Sequence, residues 1–325
     1  MREKMASLIK TCFVVAGAMT CSLIPHAVHA DWWQDCAAER ELFCQGFPAG
    51  AGRIADCIDQ HANELTGRCR ASRPSAPRST IQAQVTPYPR ATGVAPVSTS
   101  SGFKSVYQTN FGSEIDRNLM LQQPAPGSMR IESAACQPVQ RALRVSIRQQ
   151  DDYSRVANGV PRAEISFAGR FVFEAGREYL VRWSTCLPAD FRFDTKQPEG
   201  IGQIHEGAPQ GSPPWGMNLA GDRYQVQLRD GNRVQTRDIG SAAQDRGRWV
   251  RWMLHYRPDS SGANAIMELD KDGARILSAN GIPNSYPNDN RAYFKIGIYK
   301  WWWKERPTDV SERTIFFGDV AVEVK

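Results

Sequence analysis

Beyond its first thirty residues, this 325-residue chain has no apolar run long enough to cross a membrane. An integral membrane protein built from helices is therefore not expected. It has no Cys-x2-Cys pair, and His61 stands alone among the N-terminal cysteines. Both facts argue against a zinc site. Histidine is scarce, with five in all, of which only His61, His205 and His255 follow residue 30. No strand-like stretch reads Glu-x-Asp-x-Glu, which lowers the case for a sandwich-type glycoside hydrolase with facing carboxylates. Charge of one sign is not in large excess either. Without residues 1–30, which carry three basic and one acidic side chain, the formal charge falls from +6 to +4. That balance does not by itself argue for a polyanionic partner, and no nucleic-acid-binding motif is present.

What is there begins with an export signal. Arg2, Lys4 and Lys10 precede an apolar core over 12–24, and Val28-His29-Ala30 offers small residues for cleavage after Ala30. A secreted or periplasmic protein is expected. Residues 31–72 then hold Cys36, Cys44, Cys57 and Cys69, four of the six cysteines outside the signal. Export makes disulfides the default. Helical patterns over 37–43 and 54–65 flank a Gly-rich turn over 46–52, and two short helices need staples. Nested pairing, Cys36 with Cys69 and Cys44 with Cys57, fits a helical hairpin, although four cysteines allow three connectivities. The spacing Cys-x7-Cys-x12-Cys-x11-Cys resembles the cysteine-rich repeat of Golgi-apparatus-type glycoproteins. Residues 73–102 are rich in Pro, Ser, Thr and Ala and read as a linker.

From Phe103 to Lys325 the pattern changes to many short strands, predicted over 142–147, 170–173, 178–184, 224–228, 249–256, 265–269, 293–299 and 314–324. Turn signals separate them: Asp230-Gly231-Asn232, Pro258-Asp259-Ser260-Ser261-Gly262 and Asp270-Lys271-Asp272-Gly273. No long helical pattern competes. The reading is an all-β, concanavalin-like jelly-roll sandwich, preceded by the small disulfide-stapled α-hairpin. Cys136 and Cys186 remain for one more disulfide. The pair Asp270-x-Asp272 raises a structural calcium ion, but no further ligands follow at loop spacing, so a hairpin tip is the stronger reading.

One strand carries an unusual row. In Ala292-Tyr293-Phe294-Lys295-Ile296-Gly297-Ile298-Tyr299-Lys300-Trp301, the period of two puts Ile296 and Ile298 on one face and Lys295, Gly297, Tyr299 and Trp301 on the other. A cation, a glycine that admits a ligand, a phenol and an indole suit a sugar cleft, although an ordinary half-exposed strand with a snorkelling lysine gives the same pattern. Arg162 and Glu164 share a face in Pro161-Arg162-Ala163-Glu164-Ile165. An arginine there can hold a carboxylate in a fork, or simply pair with the glutamate. Gln203 and His205 share a face in Gln203-Ile204-His205. His255, between Trp252 and Tyr256, reads as structural. Trp301-Trp302-Trp303 at a strand end offers stacking surfaces, or core, with Trp215 elsewhere.

In that order, Arg162-Ala163-Glu164, Gln203-Ile204-His205 and Lys295-Ile296-Gly297-Ile298-Tyr299 resemble the polysaccharide lyase group that includes heparin lyase I and glucuronan lyase. Gly247-Arg248-Trp249-Val250-Arg251-Trp252 and the hairpin at Asp272-Gly273 also look like that family, and the likeness spans 103–325. The resemblance implies a groove on a jelly roll and β-elimination of a uronate-containing polysaccharide, without a required cofactor. It implies that Gln203 neutralises the substrate carboxylate with help from Arg162 or Lys295, that His205 is the base, and that Tyr299 is the acid or serves as both. Arg162, Glu164, Trp301 and Trp303 would bind substrate. An acidic polysaccharide is the expected partner, and a monomer the expected state. Two other classes fit the same sandwich. One is a non-catalytic carbohydrate-binding domain. The other is a glycoside hydrolase using Glu164 and Glu206.

Overall fold

The computed structural model describes residues 32–43, 58, 65–72, 102–207, 212–230 and 233–325. The signal, Cys44, Cys57, the turn over 46–52, nearly all of the linker and the tip at Gly231-Asn232 lie outside the described residues. In the N-terminal unit, α1 (Trp32–Asp35), α2 (Ala37–Phe43) and α3 (Gly67–Ser72) are helical. Cys36 and Cys69 form a disulfide, which is the outer bridge of the nested pair. The second predicted helix does not run to Leu65, since Leu65 and Thr66 are non-helical and α3 starts after them. Thr66 stops the pattern because its hydroxyl accepts from the Cys69 amide at 3.4 Å as a cap, and its own amide donates to Glu39 at 3.0 Å.

The rest is a sandwich of two antiparallel sheets. Its strands are β1 (Lys104–Thr109), β2 (Met120–Gln122), β3 (Met129–Ser133), β4 (Arg141–Arg148), β5 (Arg162–Ser166), β6 (Tyr179–Cys186), β7 (Glu199–His205), β8 (Trp215–Ala220), β9 (Arg223–Asp230), β10 (Arg233–Ser241), β11 (Trp249–Arg257), β12 (Ile266–Lys271), β13 (Ala274–Ser278), β14 (Tyr293–Tyr299) and β15 (Glu312–Val324). The first sheet runs β13-β12-β11-β6-β15-β4-β3, with β1 also paired to β15. The second runs β10-β9-β8-β7-β14-β5-β2. Alternation builds both inner faces. Phe294, Ile296 and Ile298 of β14 meet Trp183, Trp252 and Val181 of the other sheet in one continuous core. Burying a side chain of this size stabilises the fold by roughly 1.5–3 kcal/mol. Cys136 and Cys186 form the second described disulfide, between the β3–β4 turn and the end of β6.

One predicted strand changes. Residues 170–173 are not a strand. The chain turns tightly there, with the amides of Arg170 and Phe171 both donating to the Phe167 carbonyl, and only Phe173 makes a bridge, to Ala292. Phe171 and Phe173 are apolar because they fill the core, not because they pair. The Asp270-x-Asp272 pair is a hairpin tip whose carboxylates are taken by arginines, Asp270 by Arg275 and Asp272 by Arg248 at 2.8 Å. Positive φ at Asp272 (52°) and Gly273 (84°) makes the two-residue turn between β12 and β13.

Candidate active site

Because Ala163, Ile165, Ile204, Phe294, Ile296 and Ile298 face the core, their polar neighbours must stand on the outer face of the second sheet. The register then fixes which of these meet. Tyr299 lies opposite Arg162, Gly297 opposite Glu164, Lys295 opposite both Ser166 and Gln203, and Tyr293 opposite His205. Three adjacent strands, β5, β14 and β7, thus gather Arg162, Glu164, Lys295, Tyr299, Gln203 and His205 on one surface.

Glu164 is the hub of this group. Its carboxylate accepts from Lys295 Nζ at 2.7 Å, from Arg162 Nη1 at 3.3 Å, and from the Gln203 amide. All four side chains are buried, Lys295 most completely at 1% exposure. Burial alone would raise the Glu164 pKa, but Lys295, Arg162 and the Gln203 hydrogen bond outweigh it and hold the carboxyl below its ordinary value. Burial draws the Lys295 ammonium below its ordinary value, against the pull of Glu164. Lys295 also donates to Gln122 on the edge strand β2 at 2.8 Å. Its ammonium is thus engaged within the cluster by both Glu164 and Gln122. Two cations around one anion leave the cluster with a net positive charge.

Tyr299 packs under this cluster's arginine, whose guanidinium carbon sits 4.0 Å from the ring centroid. Its other side meets Trp301, with centroids 5.3 Å apart. His205 stands at the opposite end of the row. Its ring stacks on Tyr293 at 5.2 Å and 16°. Nδ1 lies 3.0 Å from the Glu206 carbonyl oxygen, which can only accept, so in the neutral ring Nδ1 carries the hydrogen and Nε2 keeps its lone pair. Burial lowers the His205 pKa, and the charges of Lys295 and Arg162 push the same way. The ring is thus set as a neutral acceptor within the electrostatic reach of the cluster. The Tyr293 phenol beside it is pushed up to about 12 by burial and by Glu206 and Glu164, so it stays protonated.

A cleft opens over this surface. Glu164, Gln203, Tyr299 and Trp301 line one side and Asn218, Gln227, Arg229 and Ser212 the other. Gly200, Gly202 and Gly216 form its floor. A Cβ on Gly216 would meet nothing within 4 Å, so its lack of a side chain keeps the cleft open. Gly297 serves a different end. Its φ is +146°, and a Cβ would stand 2.2 Å from the Ala163 carbonyl oxygen, so the close approach it permits is that of β5, not of a ligand.

Trp303 is not a stacking surface. It is 0% exposed, in the core, and its indole donates to the Val310 carbonyl at 2.9 Å. After Tyr299 the chain turns, so the period of two ends and the three tryptophans separate. Trp301 alone faces the cleft; Trp302 is covered by Arg306 at 3.7 Å. Trp215 is also core. Sequence reasoning missed Asn218, Gln227 and Arg229, which sit on strands β8 and β9 without a motif. Among the described residues, no group of three or more His, Cys, Asp and Glu side chains is gathered closely enough to hold a metal ion.

The two antiparallel sheets thus form a sandwich with a cleft on the outer face of one of them, lined by Tyr299, Trp301, Gln203 and Glu164. The family model for polysaccharide lyases matches residues 98–321, and the chain belongs to that family. No curated protein sequence matches it. Among solved structures, it is similar to the endo-β-1,4-glucuronan lyase of the fungus Trichoderma reesei, at 18% identity and a TM-score of 0.57 over 67% of this chain and 95% of that one. An alginate lyase from Pseudomonas aeruginosa (15% identity, TM-score 0.41, 60% and 97% covered) and the globular domain of calreticulin from T. cruzi (11%, 0.42, 67% and 88%) also match. At 18% identity the likeness to the glucuronan lyase speaks to the fold alone.

Proposed function

We propose that this polysaccharide lyase cleaves a uronate-containing chain by β-elimination in the cleft beside Gln203 and Tyr299. The C5 proton of a uronate is removed, the C4–O bond breaks, a C4=C5 double bond forms, and the leaving oxygen takes a proton. Negative charge builds on the substrate carboxylate as C5 loses its proton, so the site must hold positive charge where that happens. The observation that carries this reading is the buried ring of Arg162, Lys295 and Gln203 around Glu164, with Tyr299 packed against Arg162 at the cleft wall.

In this reading Gln203 and Arg162 meet the carboxylate, while Lys295 and Glu164 are positioning residues that fix them. His205, neutral and with Nε2 available, takes the C5 proton, and Tyr299 gives one to the leaving oxygen. A guanidinium over the tyrosine ring stabilises the charge left on the phenol. Trp301 offers its ring to the sugar. The glycoside hydrolase alternative needs two carboxylates flanking the scissile bond, and of its pair Glu164 lines the cleft while Glu206 does not. Export belongs to the same proposal, favoured by the two described disulfides.

The test is to incubate the purified chain with a panel of polyuronates and follow ultraviolet absorbance. A rise from the unsaturated product on at least one of them is expected. New reducing ends without that absorbance would overturn elimination.

A further inference from the structure

The base proposed above has a neighbour whose side chain the mechanism does not use. His205 ends β7, and the next residue, Glu206, turns back against its ring. The Glu206 side chain is 3% exposed, and one of its carboxylate oxygens stands 3.3 Å from His205 Nδ1, beside the Glu206 carbonyl at 3.0 Å. Among the described residues, this is the only carboxylate within 4 Å of a His205 ring nitrogen. The segment is pinned. The Gly207 amide donates to both oxygens of Asp289, at 3.2 and 3.0 Å, and Asp289 also accepts from the Arg291 amide at 3.0 Å. A Cβ on Gly207 would stand 2.4 Å from the Arg291 backbone, so the chain passes there without slack.

A base placed like His205 has a difficulty. Burial, Lys295 and Arg162 all disfavour its charged form, and only Glu164 among the cluster's charges favours it. Tyr293, stacked on the ring, stays protonated and neutral. Yet taking the C5 proton puts a full positive charge on the imidazole. Glu206 acts as an anion on its own surroundings, Tyr286, Tyr293 and Lys295, with Asp289 and Arg229 also acting on Tyr286. Its attraction for the ring grows as the ring becomes charged, so it favours the transition state over the ground state. We infer that Glu206 is a positioning residue for the elimination: its carbonyl holds the hydrogen on Nδ1 and leaves Nε2 to accept, and its carboxylate stabilises the imidazolium as the C5 proton arrives at Nε2. The Nδ1 hydrogen stays in place, and Glu206 is unchanged by the step. This rests on the lyase reading above.

The experiment compares the full-length chain with Glu206→Gln, which keeps the size of the side chain and removes its charge. It uses NMR titration of His205, the pH profile of kcat/KM on a homopolymeric polyuronate, and thermal melting. An opposite charge this close shifts a pKa by about 1–3 pH units, so the His205 pKa is expected to fall by about one pH unit or more, and the acid limb of kcat/KM to move down with it. Above that limb kcat should fall about tenfold or more at little-changed KM, a part of the ~100- to 10,000-fold that a general base supplies. Glu206→Asp, which keeps the charge one methylene further back, should lie between the two. An unmoved titration in Glu206→Gln, with or without a lower melting temperature, overturns the inference and makes Glu206 structural. A moved titration with parental kcat overturns it as well. So does a parent ring that carries its hydrogen on Nε2, read from nitrogen chemical shifts without any substitution. The failures separate. Unsaturated product with an unmoved titration in Glu206→Gln sinks the pairing alone, whereas a moved titration with no unsaturated product from any polyuronate sinks the elimination alone.

Discussion

Each sheet of the sandwich presents one histidine on its outer face, and the two are set up in opposite ways. On the first sheet, His255 has both ring nitrogens occupied, Nε2 by Glu178 at 2.9 Å and Nδ1 by Glu268 at 3.2 Å. Around it, Arg275 pairs with Glu268 and Arg182 with Glu323, so charges cancel over an open surface. On the second sheet, His205 has only Nδ1 engaged among the described residues, 3.0 Å from the Glu206 carbonyl and 3.3 Å from the Glu206 carboxylate, and it lies near the buried Arg162–Glu164–Lys295 cluster. A histidine clamped between two carboxylates stabilises a surface. A histidine kept neutral by burial, with one ring nitrogen left over, can take a proton from something else. Residue type alone does not separate the two cases; the count of occupied nitrogens does.

The comparison breaks most sharply at the proposed acid. Tyr299→Phe keeps the ring under Arg162 and deletes the transferable proton. It should fold, bind polysaccharide and lose ~100- to 10,000-fold in kcat, whereas His255→Gln should leave turnover unchanged. Wild-type turnover of Tyr299→Phe on the true substrate, or a comparable loss in His255→Gln, would erase the distinction between the sheets. Next in size is the cluster itself. Lys295→Met strips a buried carboxylate of its nearest cation and should cost about 3–5 kcal/mol in denaturant unfolding. By contrast, removing His255 from its partly exposed pairs should cost about 1 kcal/mol or less.

The pH dependence sharpens the contrast further. In the proposed mechanism His205 must be neutral to act, and burial sets its pKa below the ordinary 6.5, so kcat/KM should fall about tenfold per pH unit only below that lowered value. The sign for stability is the same. The unfolded chain takes up this proton near 6.5 and the folded chain only at lower pH. Acid therefore favours unfolding as pH falls from about 6.5 to the folded value, and the term vanishes above that window. A titration of His205 by NMR that placed its pKa above 6.5 would contradict both. The smallest expected effect is steric. Gly216→Leu projects into open cleft, so it should leave the melting temperature nearly unchanged and raise KM. Unaltered KM would move the substrate off this cleft.

Much of this arrangement was legible in the sequence. β14 runs over the predicted residues because apolar alternation through Phe294, Ile296 and Ile298 leaves no other phase. The same alternation placed Arg162 with Glu164 and Gln203 with His205 on their faces before any register was known. What it cannot give is the neighbour across the sheet. Gln122, on a three-residue edge strand, holds Lys295, and nothing near residue 122 announces it. Arg229 and Asn218 reach the cleft from strands two and one removed from β7, through pairing and not through spacing. Strands β3, β10 and β13 went unseen because they carry polar and half-exposed residues with little alternation. The direction of Trp303 depended on a turn that ends the strand period.

The thirteen residues of β15 lie at the centre of the first sheet, although they come after every other strand in the chain. On one side β15 pairs with β6. On the other it pairs with β4 along Glu312 to Phe317 and with β1 along Val320 to Val324. Until those residues emerge, β3–β4 and β6–β11–β12–β13 are separate fragments with bare edges, and β1 has no partner. Assembly is therefore ordered in time. A growing or threading chain holds the sandwich open until its last strand arrives, and a nascent protein cut short before Glu312 has no means of closing the first sheet.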